Sequence, residues 1–124
     1  MSIKKSRSEL LRFAEARIGE FPESVAAASG ALMRLLEQIV VDGQPTPQPS
    51  PALPEGAVAE WLVGGDFVGL FVDAEMWEMW CTTSDGLDVD IASGAIGDSM
   101  PDEAVATARE ILGWMGQNVR FDIV

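Results

Sequence analysis

Pro45, Pro47, Pro49 and Pro51 stand at every second position of one short segment, and Pro54 follows close behind. Proline lacks the backbone N–H and fixes φ, so this run forbids a helix and forbids a central strand. The segment from Gln44 to Glu55 therefore divides the chain. Its alternation favours a polyproline II connector with a reach of about 3.1 Å per residue. Pro51-Ala52-Leu53-Pro54 also matches the PxxP pattern of SH3-type ligands, although a stiff spacer is the commoner use of such a stretch.

The hydrophobic period changes across this divide. Before it, Ser6 to Glu9 reads as a capping box, with a hydroxyl and a carboxylate each taking an orphan amide. Leu10, Leu11, Phe13, Ala14 and Ile18 follow at helical spacing, and Gly19 marks a stop. A second helix is expected from Pro22, which suits a first-turn position, to Gly43. Its apolar face would hold Val25, Ala28, Leu32, Leu35, Leu36, Ile39 and Val40.

After the divide the period drops to two. Strands are expected over Ala57–Val63, Phe67–Val72, Met76–Thr82 and Leu87–Ile91. Gly64-Gly65-Asp66, Asp73-Ala74-Glu75 and Ser84-Asp85-Gly86 are the turns between them, short enough to imply antiparallel neighbours and a meander. Phe67–Val72 is apolar on both faces, which suits a central strand. A last helix is expected to open between Asp98 and Asp102 and to close at Gly116, with Val119, Phe121 and Ile123 alternating as a further strand.

The expected class is thus α+β: two N-terminal helices, a Pro-rich connector, a four- to five-stranded antiparallel meander sheet and a C-terminal helix packed on it. The 124 residues are enough for one core, read as a single domain. Its parts are a helical region 1–43, a connector 44–56, and a sheet with its helix over 57–124.

Charge narrows the function classes. Residues 35–108 carry fourteen carboxylates and no Lys, Arg or His. The chain has a formal charge of −12, yet residues 1–20 are locally basic through Lys4, Lys5, Arg7, Arg12 and Arg17. A broad negative field repels nucleic acid and anionic lipid and attracts basic protein surfaces. Direct nucleic-acid binding is therefore disfavoured, because that affinity rests on neutralising phosphates. The lone Cys81 rules out an internal disulfide, no stretch approaches a membrane span, and the N-terminus lacks a signal-peptide pattern. A cytoplasmic setting is the expectation.

Catalytic readings fail on inventory. The chain has no histidine and no tyrosine, and Cys81 has no basic neighbour in sequence. No cofactor motif is present, and Gly64-Gly65 is followed by neither a helix nor a lysine, as a phosphate cradle would require. Asp88 and Asp90 would project the same way at about 6.5–7 Å along a strand. With Asp85 they form the one carboxylate group worth testing for a divalent ion, although the order of ligands is not that of an EF-hand loop.

Two features remain as binding candidates. One is the acidic field, with Glu78, Asp85, Asp88 and Asp90 as its expected contributors. The other is Met76-Trp77-Glu78-Met79-Trp80. Alternation puts Trp77, Met79 and Cys81 on one face and Met76, Glu78, Trp80 and Thr82 on the other. Trp80 and Met76 are then expected interface anchors. Together these features point to a non-enzymatic inhibitor that blocks a basic, nucleic-acid-handling protein by occupancy. Anti-CRISPR, anti-restriction, antitoxin and immunity proteins act in this way. An acidic dimeric secretion chaperone and a divalent-metal enzyme using Asp85, Asp88 and Asp90 are the alternatives, and a homodimer is compatible with the pattern.

Overall fold

The computed structural model describes residues 4–115. The first helix, α1 (Arg7–Ile18), begins at the expected capping box. Ser6 Oγ accepts from the Glu9 amide at 3.2 Å, and Glu9 Oε1 accepts from the Ser6 amide at 3.4 Å. The second helical stretch starts less regularly than expected. A 3-10 turn over Glu23–Val25 precedes the helix proper, α2 (Ala26–Ile39).

α2 also stops four residues before Gly43, because side chains take over its last carbonyls. Gln44, only 5 % exposed, donates to the Ile39 carbonyl at 2.9 Å and accepts from the Val41 amide at 3.1 Å. Arg7 donates to the carbonyls of Glu37 and Val40, and Arg109 donates twice to that of Gln38. A helix leaves its final C=O groups without internal partners, and that end carries partial negative charge. Two of the chain's few cations are therefore held at the end of α2.

Five strands follow: β1 (Gln48–Ala52), β2 (Gly56–Val63), β3 (Asp66–Val72), β4 (Met76–Thr82) and β5 (Asp88–Ala95). They form one antiparallel sheet in the order β1-β2-β3-β4-β5, the expected meander with β3 at its centre. β2 and β3 are joined by the two-residue turn Gly64-Gly65, at φ of 60° and 91°. Two successive positive φ values are those of the type I′ hairpin turn, which glycine adopts without a steric cost. The last helix, α3 (Asp102–Met115), begins inside the expected window. Its expected stop at Gly116 and the expected strand through Val119, Phe121 and Ile123 lie outside the described residues.

The proline segment departs from expectation. Residues 48–52 are not a polyproline II spacer but the edge strand β1, paired to β2 with Pro49 opposite Ala59 and Pro51 opposite Ala57. Backbone polar groups alternate in direction along a strand. Prolines two apart therefore direct both missing donors to the same side, and Gln48, Ser50 and Ala52 face β2 with their N–H groups intact. The alternation that excludes a central strand is what permits an edge strand.

All three helices lie against one face of the sheet: α1 on β1, α2 on β2 and β3, and α3 on β5. Ala57, Ala59 and Trp61 of β2, Val68, Leu70 and Val72 of β3, and Trp77, Met79 and Cys81 of β4 point into this layer and are buried. A bulge between Met79 and Trp80 modifies the alternation expected for β5. Cys81 pairs with Val89 and Trp80 with Asp90, but Met79 pairs with Ala92. Ile91 is the extra residue, so residues beyond it switch face relative to a regular strand.

Two glycines make room for indoles on opposite sides of the sheet. A Cβ at Gly94 would stand 2.8 Å from buried Trp77, and one at Gly69 would stand 2.6 Å from half-buried Trp80. Gly94→Ala is expected to destabilise by about 1–3 kcal/mol, the usual cost of overpacking, because Trp77 has nowhere to go. Gly69→Ala is expected to cost less, since Trp80 can swing toward solvent. Urea unfolding midpoints of the two variants check this order.

Candidate functional site: the open face of the sheet

The opposite face of the sheet carries no helix among the described residues. Strand register assembles it in rows. One row runs Gln48, Glu60, Gly69, Trp80, Asp90, and the next runs Ser50, Val58, Phe71, Glu78, Ser93. A third holds Leu62, Phe67, Thr82 and Asp88. Neighbouring strands lie about 4.8 Å apart, so each row is a line of side chains in contact range.

The rows concentrate aromatic groups at the centre and carboxylates at the flanks. Trp80 lies over Gly69 and beside Phe67, with ring centroids 6.1 Å apart. Leu62 is 71 % exposed, and Phe67, Phe71 and Met76 are half-buried. Glu60 lies on one side of this apolar centre; Glu78, Asp88 and Asp90 lie on the other. Asp88 accepts from the Thr82 hydroxyl at 2.6 Å, which orients its carboxylate across the strand pair. Every described residue of the sheet falls between positions 35 and 108, so no cation in the described strands offsets these acids.

Two shallow depressions flank the aromatic ridge. One, of about 390 Å³, is lined by Glu78, Trp80, Asp90 and Ser93 among others. The other, of about 480 Å³, is lined by Pro45, Gln48, Glu60, Leu62 and Phe67 among others. Neither is a closed cavity, and their form suits a protruding side chain rather than an enclosed small molecule.

Of the six residues singled out in the sequence, Met76, Glu78, Trp80, Asp88 and Asp90 share this face. Asp85 sits instead in the turn between β4 and β5, where it accepts from the Thr83 hydroxyl. Glu60, Leu62, Phe67 and Phe71 belong to the same face and were not singled out. For Phe67 and Phe71 the signal was the doubly apolar β3; Glu60 and Leu62 of β2 reach this face only through strand register.

The other chemical groups are placed less favourably for reaction. Cys81 points into the helical layer at 2 % exposure; burial pushes its thiol up from the ordinary range, and the Asp66 carboxylate adds to the shift. That is the opposite of an activated thiolate. Asp66 itself is 3 % exposed and accepts from the Ser84 amide at 2.9 Å, tying the β2–β3 turn to the β4–β5 turn. The amides of Glu75 and Met76 hold the Asp73 carboxyl below the usual carboxylate range. Among the described residues no three Asp, Glu or Cys side chains come together as a metal-ligating group, and Asp85, Asp88 and Asp90 do not converge. No described helix is long and apolar enough to cross a membrane. The chain matches no protein-family model, no curated protein and no solved structure.

Proposed function

We propose that the chain is a non-enzymatic binding protein whose open sheet face occupies the anion-binding surface of a basic, nucleic-acid-handling protein. One observation carries this reading: strand register gathers Glu60, Glu78, Asp88 and Asp90 around a half-buried Trp80 and Phe67 and an exposed Leu62, on described strands that contain no cation. Carboxylates spread over such a surface imitate a polyanion and speed encounter with a basic partner. A half-exposed indole backed by a glycine supplies the apolar contact that holds the complex once formed. Two of the chain's cations, Arg7 and Arg109, are engaged away from this face at the end of α2.

The reading places the chain with inhibitors that act by occupancy, the class that includes anti-defence proteins, antitoxins and immunity proteins. Capture from host lysate tests it. The expected partner is a basic nucleic-acid-binding protein, held at about 0.05 M salt, released near 0.5 M, and displaced by added nucleic acid, because surface charges are screened at high salt. A partner held equally at both salts and indifferent to nucleic acid would overturn the reading and favour an apolar peptide chaperone.

A further inference from the structure

The two edges of the sheet are treated differently. At the β1 edge, Pro49 and Pro51 remove the outward donors, which prevents another strand from adding there. At the other edge β5 has no proline, no lysine and no arginine. None of its residues is buried, and among the described residues no strand lies beyond it.

The direction of its free backbone groups follows from the ladder. The Thr83 amide donates to the Leu87 carbonyl, and the Ile96 amide donates to the Glu75 carbonyl. Antiparallel pairs alternate between bonded and non-bonded positions. Counting inward from those two bonds, Val89, Ala92 and Gly94 turn their N–H and C=O groups to β4. Asp88, Asp90, Ser93 and Ala95 turn theirs to the open edge. The side chains of those same four residues belong to the open face. The bulge at Ile91 divides the edge, and the regular stretch before it is the one that carries both carboxylates.

We propose that the Asp88–Asp90 edge of β5 takes an extended segment of the partner as a sixth strand, with alternate Arg or Lys side chains opposite Asp88 and Asp90. This inference rests on the basic-partner reading and adds the mode of contact. A residue opposite Asp90 projects onto the open face, beside the depression lined by Glu78, Trp80 and Ser93. A guanidinium that enters this depression finds the Glu78 and Asp90 carboxylates and the Trp80 indole in its lining, groups that favour arginine. Backbone bonds supply affinity in strand addition and alternate side chains supply choice. A second copy of this chain suits the edge poorly, because it brings another body of formal charge −12 against the same two acids.

The test is amide hydrogen exchange by NMR at low salt, with a short synthetic peptide alternating Arg and Val. The amides of Asp88 and Asp90 are expected to slow on peptide addition, while Val89, already bonded to β4, keeps its rate. The same peptide N-methylated at its Arg amides is expected to bind about tenfold more weakly, as suits the loss of hydrogen bonds at unchanged charge. Asp88→Pro is expected to abolish the protection of the Asp90 amide; peptide N-methylation serves as the readout should that variant not fold. Equal binding by the N-methylated peptide overturns the proposal. Peptide-induced shifts at Trp80 and Phe67 with unchanged edge amides also overturn it, and leave the open-face reading standing. No response at the edge or the face sinks both. Protection that appears without peptide and grows with protein concentration identifies a second copy as the occupant and overturns the proposal.

Discussion

Trp61→Ala and Trp77→Ala are each expected to lower stability by about 3–5 kcal/mol, the range for truncating a buried aromatic side chain. Both indoles are fully buried between the sheet and the helices. Loss on that scale is a large share of the roughly 5–15 kcal/mol that holds a domain folded. Each ring nitrogen, Nε1 of Trp61 and Nε1 of Trp77, is buried without a hydrogen-bond partner among the described residues. An unpaired buried donor costs about 1–3 kcal/mol. Phenylalanine at either position sheds that donor while keeping most of the apolar ring, so Trp77→Phe is expected to cost far less than Trp77→Ala. Urea unfolding followed by circular dichroism checks both. An alanine variant within about 1 kcal/mol of the parent would contradict the packing described here.

The second large effect is on binding. Asp88→Lys combined with Asp90→Lys is expected to slow association with the captured partner by about tenfold or more at low salt and to flatten its salt dependence. Both side chains are exposed, so the fold should tolerate the change. Trp80→Ala is expected to act differently, raising the dissociation rate by about 30-fold, as befits loss of an anchor worth about 2 kcal/mol. Its effect on association should be small. Surface plasmon resonance across a salt series separates the two contributions. Unchanged kinetics in the charge-reversed variant would remove the electrostatic half of the proposed function.

Much of the architecture could be read along the chain because its signals are local. The Ser6–Glu9 cap, the helical spacing of α2 and the alternation of β4 each depend on residues a few positions apart. β4 occupies the range expected for it, Met76–Thr82. The expectation was less accurate where distant partners decide. α2 was expected to reach Gly43, but it ends at Ile39 because Arg7, Gln44 and Arg109 converge on its carbonyls from separate parts of the chain. The candidate face was half legible for the same reason. Alternation in β4 and β5 grouped Met76, Glu78, Trp80, Asp88 and Asp90. The contributions of Glu60, Leu62, Phe67 and Phe71 required the register of β2 and β3. Asp85 fell away because a turn residue follows its own hydrogen bonds and not the pleat.

The sign of the charge on the described strands was settled in the sequence itself: each of them comes from a stretch without a base, so no arrangement of those strands places one of their own cations on either face. The same holds for which residues share a face within each regular strand, since successive side chains must point opposite ways. Which face is covered is a different kind of fact. Only the tertiary structure places α1, α2 and α3 on the Trp77 side, turns residues 48–52 from a spacer into a proline-guarded edge, and inserts Ile91 as a bulge that resets β5. Local stereochemistry decides direction along a strand. Burial is decided by contacts between segments far apart in the chain, and it is the placement of the helices on the other side that leaves Trp80 half-exposed and the carboxylates beside it open to solvent.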